Sequence, residues 1–228
     1  MSNLKVLHVV TLGGPNGEYG GPFRVARELC EEHTKRGRSA QLLFGINSEI
    51  APINNRNFQE LAIPVTPLSR KYKVSSLISL KIFSQLIIQI KKSDLVHIHF
   101  GRDFISMLAA IIGSIFSKRI ILQTHGMLVP DSRRIVRILD FIMVLPVMRL
   151  ADKILALSFN EQNNLSDLGI NKNIYIQPNG ISIPTVELNA TQKQIPRVAF
   201  CGRLFQTKGI DLFLDIAKRC HQEKLEVT

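Results

Sequence analysis

A chain of 228 residues with 45% apolar side chains can bury the core of one full domain and the start of another, which excludes a disordered chain. Lys and Arg exceed Asp and Glu by 11, which argues for an anionic partner, whether nucleic acid, acidic lipid or a phosphorylated substrate, without choosing among them. Cys30, Cys201 and Cys220 are too few and too scattered for a disulfide framework or a structural zinc site, so a reducing, cytoplasmic setting is expected.

In chain order, Met1–Val10 lacks the length and small-residue cleavage site of a signal peptide, and the apolar, β-branched run Leu4–Val10 predicts a first strand. A glycine-rich loop follows over Gly13–Gly21, then helical periodicity over Phe23–Arg36 that ends near Gly37. The alternation repeats: a strand at Ala40–Phe44, a helix at Ser75–Lys92, a strand at Leu95–His99, a helix at Phe104–Phe116, a strand at Arg119–Thr124, a helix at Ser132–Leu150 and a strand at Lys153–Leu157. Ser158 and Glu161 have capping-box spacing and open another helix, and Asn173–Gln177 predicts the last strand of the unit. The longest nearly uncharged run, Phe104–Phe116, falls well short of the ~20 residues that span a bilayer.

Strands alternating with helices imply parallel strands joined by right-handed crossovers. Strands apolar along their whole length imply a sheet covered on both faces. The fold class is therefore α/β, a Rossmann-like parallel sheet with helices on both faces. Three prolines and mixed polar residues mark 178–196 as a linker between this domain, residues 1–177, and a second unit, residues 197–228. That unit reads as a strand at Val198–Cys201, a loop at Gly202–Gly209 and a helix at Ile210–Gln222. One strand and one helix cannot cover a sheet, so the second domain is expected to be truncated.

Several positions could carry chemistry. The Gly13–Gly21 loop lies beyond the carboxyl end of the first strand, where such domains bind ligands. Its glycines allow backbone amides to approach a phosphate at the start of the next helix. It is neither a dinucleotide fingerprint nor a Walker A loop, and a plain surface loop is the alternative. Arg24, one turn into that helix, could meet an anionic group or be merely solvated. His97 and His99 alternate along one strand and face the same side, but no further cluster completes a metal site for them. His125 follows the strand ending at Thr124 and stands at the ligand-binding edge, although a lone histidine is as often a core or capping residue. Asn179-Gly180 is a turn signature placed to line a cleft between domains. Arg203 and Lys208 flank a loop between a strand and a helix, where they could clamp a diphosphate or be solvated.

Taken together, Gly20-Gly21 before a helix, Asp94-Leu95-Val96-His97-Ile98-His99, Thr124-His125-Gly126, Pro178-Asn179-Gly180-Ile181 and Gly202-Arg203-Leu204 with Lys208-Gly209-Ile210-Asp211 form a succession that resembles retaining family 4 glycosyltransferases along nearly the whole chain. The resemblance implies the GT-B architecture, two Rossmann-like domains facing across a cleft, of which the chain carries the amino-terminal domain and the opening of the second. It implies a nucleotide-sugar donor as substrate, no cofactor and no metal. Gly20, Gly21, Arg203 and Lys208 would meet the donor diphosphate, and His125 would be the catalytic histidine beside the transferred sugar. Arg24, His99, Asn179 and Gly180 would line the cleft or the acceptor site. The family also carries a pair of glutamates separated by seven residues in the second domain. No two glutamates stand at that spacing here, so the chain alone is expected to transfer no sugar.

The expected acceptor is a glycan or a lipid-linked glycan, and residues 47–57 are expected to bear on its choice. No helix-turn-helix, zinc finger or aromatic platform accompanies the positive charge, so no nucleic-acid partner is expected. A non-catalytic module that binds a nucleotide, a phosphate or a glycan is the alternative function. Between Glu60 and Asp94 there is no acidic residue, whereas Arg70, Lys71, Lys73, Lys81, Lys91 and Lys92 lie in that interval. A helical wheel of Ser75–Lys92 puts Phe83, Leu86, Ile87 and Ile90 on one face. Arg133, Arg134 and Arg137 beside Ile138, Leu139 and Phe141 form a second basic and apolar stretch. These features predict peripheral contact with an anionic membrane at its cytoplasmic face, against the alternative of an ordinary crossover helix with a solvated basic side.

Overall fold

The computed structural model describes residues 4–14, 21–46, 57–69, 74–181, 198–202 and 208–223. The chain divides into two compact units, Met1–Ile181 and Ser182–Thr228. The first holds β1 (Lys5–Leu12), α1 (Gly21–Lys35), β2 (Ser39–Ile46), β3 (Gln59–Pro64), β4 (Thr66–Pro67), β5 (Leu77–Ile78), α2 (Leu80–Lys92), β6 (Leu95–His99), α3 (Phe104–Ile115), β7 (Arg119–Gln123), α4 (Arg134–Leu139), α5 (Leu145–Met148), β8 (Lys153–Ala156), α6 (Phe159–Asp167) and β9 (Ile174–Ile176). The second holds α7 (Ile210–Gln222).

Seven strands form one sheet in the order β3-β2-β1-β6-β7-β8-β9, and every neighbouring pair is parallel. This is the Rossmann-like α/β sheet that the alternation of elements predicts. The chain leaves β1 for β2 on one side and returns through β6 on the other, so the order reverses between β1 and β6, the position where open α/β sheets bind ligands. The two meet at their amino ends, where the Lys5 N–H donates to Asp94 Oδ2 at 2.9 Å across 89 residues of sequence.

Alternate residues of the same strands feed two cores. Leu7, Val9, Val96, Ile98, Ile120 and Leu122 face α2, α3 and α5 in the larger one, while Val10, Leu42 and Phe44 meet Phe23, Ala26 and Cys30 of α1 in the other. Gly13 lies where the first strand meets the second core. A β-carbon there would stand 2.4 Å from the Phe23 ring and 2.7 Å from Phe44, so only glycine fits.

The structure departs from the sequence pattern at four places. β3 was not foreseen, because a run containing Glu60 and ending in Pro64 reads as loop. It is an edge strand, which tolerates proline, and Glu60 is buried against Arg27 through two hydrogen bonds of 2.7 and 2.9 Å. The helix expected from Ser75 starts at Leu80 instead, because β4 and β5 pair as an antiparallel ribbon and the Ser76 hydroxyl accepts from the Ser69 N–H rather than joining a helix. Its buried face is Ile82, Leu86 and Ile90, not the expected set with Phe83, which is 43% exposed. The expected single helix Ser132–Leu150 is α4 and α5 joined by a π-helical turn, Asp140–Val144. There the Leu145 N–H reaches back five residues to the Asp140 carbonyl, and Pro146 has no N–H with which to restore α-helical bonding. The wide turn lets Asp140 turn inward, where Arg102 meets both its oxygens at 2.7 and 2.9 Å.

The fourth departure is in the second unit, where Val198–Cys201 forms no strand among the described residues. A strand exists through ladder hydrogen bonds, and the described residues offer it no neighbour. Helix α7 follows Gly209, whose left-handed backbone (φ 74°) precedes its first turn. Leu212, Leu214 and Ile216 are at least half exposed. Phe200 and Phe213 approach within 5.6 Å between ring centres.

Candidate active site

The carboxyl ends of β1, β6 and β7 bring together most of the polar groups buried in the first unit. The β1–β6 ladder places His8 directly opposite His97, so His8, His97 and His99 share one face of the sheet. All three are buried. His99 Nε2 stands 3.4 Å from His8 Nδ1, and His99 Nδ1 stands 2.7 Å from His125 Nε2. The rings stack in sequence: His97 on His99 with 9° between planes and His99 on His125 with 13°, both at 4.9 Å between centres.

Burial holds all four imidazoles below the ordinary histidine range, because a charged ring there would lose its hydration. His97 falls to about 3, helped by His125 and opposed by a hydrogen bond to Gln123. His125, the least buried, falls to about 4, with Glu161 pulling it back up. His8 and His99 are held well below the ordinary range by burial and by their histidine neighbours. The cluster is therefore neutral at pH 7, and its nitrogens act as single donors or single acceptors.

His125 is held in an uncommon backbone state. Its φ is 52°, and Gly126 follows at 71°, two successive left-handed residues that swing the chain off the end of β7. Glu161, buried in the first turn of α6, pins this turn. Its carboxylate accepts from the Thr124 hydroxyl at 2.5 Å, from the Gly126 N–H, and from the Leu157 N–H at 2.6 Å. Ser158 caps α6 by accepting from the Glu161 N–H, as the spacing predicts. The other half of the capping box is absent because the Glu161 carboxylate is drawn to the turn instead. Glu161 is thus a site residue that the sequence marks only as a cap.

Gln123, at the end of β7, donates from Nε2 to Asn179 Oδ1 at 3.0 Å. This fixes the exposed Asn179 amide with its N–H groups unpartnered among the described residues, and a β-carbon on Gly180 beside it would meet nothing within 4 Å. Gln123 carried no signal in the sequence, since a single polar residue ending an apolar strand is ordinary. On the other side of β6, Asp103 caps α3 through the Ser106 N–H at 2.9 Å and accepts from Thr11 at 2.6 Å. Burial raises its carboxyl despite these bonds.

Gly21 is the first residue of α1, with nothing near its α-carbon and no acidic residue in the turn it opens, so the positive end of that helix is not neutralised from within. Arg24 is exposed and paired with Glu28 at 2.8 Å, one turn along the same helix. Lys208 is exposed in the second unit. Gly20 and Arg203 lie outside the described residues, as do most of the 47–57 loop and the 182–196 part of the linker. The structure therefore joins His99, His125 and Asn179 at one sheet edge, through Gln123 and Glu161.

His8 supplies the third histidine that the His-x-His pair lacked in the sequence. Nitrogens of His8, His97 and His99 all lie within 4.8 Å of one another, and His8 Nε2 and His97 Nε2 have no hydrogen-bond partner. The donor set suits a transition metal. It includes no carboxylate, so a divalent ion would bring its charge into a buried site among neutral ligands.

A family model described as Glycosyltransferase Family 4 matches residues 19–183, and the chain belongs to that family. Among solved structures it is similar to the apo form of WaaB, a lipopolysaccharide outer core galactosyltransferase. That match has 18% identity and a TM-score of 0.54, covering 94% of this chain and 57% of the other. It is also similar to HepE from Anabaena, solved with UDP and glucose, at 16% identity and a TM-score of 0.52, covering 78% of this chain and 45% of the other. The chain thus spans about half the length of these structures. At such identities the likeness establishes the fold, that of GT-B proteins. No curated protein gives a significant match.

Proposed function

We propose that the chain is the acceptor-side domain, with the opening of the donor-side domain, of a glycosyltransferase. This enzyme moves a sugar from a nucleotide-sugar to a glycan or lipid-linked acceptor with retention of configuration. The observation that carries the reading is His125. It is a neutral imidazole on a left-handed turn at the carboxyl edge, braced by His99 behind it and by Glu161 beneath it. A neutral ring can hydrogen-bond a sugar hydroxyl without placing a positive charge next to the cation-like sugar of the transition state.

In this reading the amides around Gly20 and Gly21, with Arg203 and Lys208, stabilise the departing diphosphate, in place of a metal ion. Asn179, its carbonyl held by Gln123, offers N–H groups to a hydroxyl in the cleft. No covalent intermediate and no cofactor enter the scheme. The protein works in the cytoplasm, with peripheral contact to the inner face of the membrane.

The test uses the chain joined to a complete donor-binding half, with a panel of nucleotide sugars. His125→Asn, which tolerates a left-handed backbone, and Lys208→Ala are each expected to lower kcat by ~10²-fold or more with little change in Tm. NMR of the product is expected to show the anomeric configuration of the donor. An inverted product, or full activity in both variants, overturns the scheme. The 228-residue chain alone is expected to be inactive, and turnover by it would remove that part.

A further inference from the structure

An open groove of about 770 Å³ runs along the first unit between α2, α3 and the segment from the π-helical turn through α5. Leu80 and Phe83 of α2, Phe104 and Ile111 of α3, and Ile142 and Leu150 beyond them line it. Ser79 is the single polar residue among the described residues that form its walls. Several of these side chains are exposed, Leu80 and Ile142 most of all. A contiguous apolar surface of this kind marks a binding site more often than a solvated face.

The chemistry of the occupant follows from what the groove lacks and what surrounds it. With one hydroxyl in its walls it offers almost nothing to an irregular peptide, whose buried N–H and C=O groups would go unpaired. A hydrocarbon chain has no such groups. The three stretches that supply its lining residues, 68–83, 104–111 and 142–150, contain no Asp or Glu. Exposed Lys81 lies between the lining residues Leu80 and Ile82, and exposed Arg149 precedes Leu150. An apolar trough whose own segments carry only positive charge is complementary to an anionic amphiphile.

Position strengthens the match. Helix α2 runs into β6 and α3 runs out of it, so Leu80 and Phe104 stand at the carboxyl edge of the sheet, the edge that carries His99 and His125. We infer that this groove binds the hydrocarbon chain of a lipid whose anionic headgroup lies at that edge, beside Lys81. The binding stands on the groove itself, and it rests on the transferase reading only for the further step that the lipid carries the acceptor.

Titration of the purified chain with decyl, dodecyl and tetradecyl phosphate, each below its micelle-forming concentration, tests this by calorimetry. One saturable site is expected, and affinity should rise about three- to four-fold for each methylene that enters the groove. Phe83→Ser and Ile111→Ser change half-exposed positions that the fold tolerates, and each is expected to weaken dodecyl phosphate at least tenfold with unchanged circular dichroism. Lys81→Gln should weaken dodecyl phosphate and leave decanol unaffected. Absence of saturable binding, indifference to chain length, or equal affinity in the groove variants overturns the inference. A dimer in sedimentation that Phe83→Ser dissolves also overturns it, by giving the groove to a second copy. Alkyl phosphate binding without sugar transfer to a lipid-linked acceptor upholds the groove and removes the acceptor reading. Transfer to a soluble glycan without such binding does the reverse.

Discussion

The two faces of the central sheet are made by alternate residues of the same strands, yet along β6 they have opposite characters. On β6, Val96 and Ile98 enter an apolar core with α2 and α3, while His97 and His99 on the reverse side join His8 in a buried polar layer. The first face holds the domain together through burial of hydrocarbon. The second keeps titratable rings away from water, and in two of them leaves a nitrogen unpaired. Stability and chemistry are thus separated by a single step along a strand, since neighbouring residues point to opposite faces.

The largest effect that would test this division is expected from Ile98→Ala. Ile98 is fully buried at the centre of the larger core, and its truncation should lower unfolding free energy by about 2–5 kcal/mol in denaturant titration. A loss under about 1 kcal/mol would show that this face does not carry the fold.

Acid should act on the other face. All four clustered histidines have folded-state values below the ordinary one, so the unfolded chain binds more protons than the native chain once pH drops below about 6.5. Stability therefore rises with pH across this window. It should be complete above about 6.5 and fall progressively toward pH 4 and 3, where His125 and His97 titrate in the folded protein. Thermal melts between pH 8 and 4 measure it, and a flat Tm from 6.5 to 4.5 would refute the neutral cluster.

The smallest change is expected from His97→Leu at pH 7. Removing a buried ring with an unpaired Nε2 in favour of hydrocarbon should alter stability by less than about 1.5 kcal/mol, while making the acid dependence shallower. A loss as large as that of Ile98→Ala would mean that the polar layer is a structural keystone rather than a tolerated one.

The sheet was legible because β1, β6 and β7 are rich in Val, Ile and Leu and bounded by glycine or charge, and such runs register directly in the sequence. Edge elements were not: the identity of β3 depends on pairing with β2 and on Arg27 reaching Glu60 across 33 residues, which no local window contains. The π-helical turn escaped for a similar reason, since its cause is Pro146 acting together with the distant Arg102. At the site, His125, His99 and Asn179 could be named from their places at strand ends. The groups that hold them, Glu161, Gln123 and His8, could not, because each acts through a contact made only when separate strands align. The expected role of Arg24 rested on its place in α1, and what the sequence did not convey is that Glu28 one turn away already engages it.

The placement of β1 between β2 and β6 also sets a timetable. β1 and β2 are available to one another early, but the opposite edge of β1 must wait for a partner about 90 residues further along the chain. At ribosomal rates of about 5–20 residues per second that wait lasts roughly 5–20 s. Throughout it, a strand that ends up in the interior of the sheet has an unpaired edge open to other chains. Nascent protein should therefore be most prone to aggregation, and most dependent on chaperones, in the interval before Leu95–His99 leaves the ribosome.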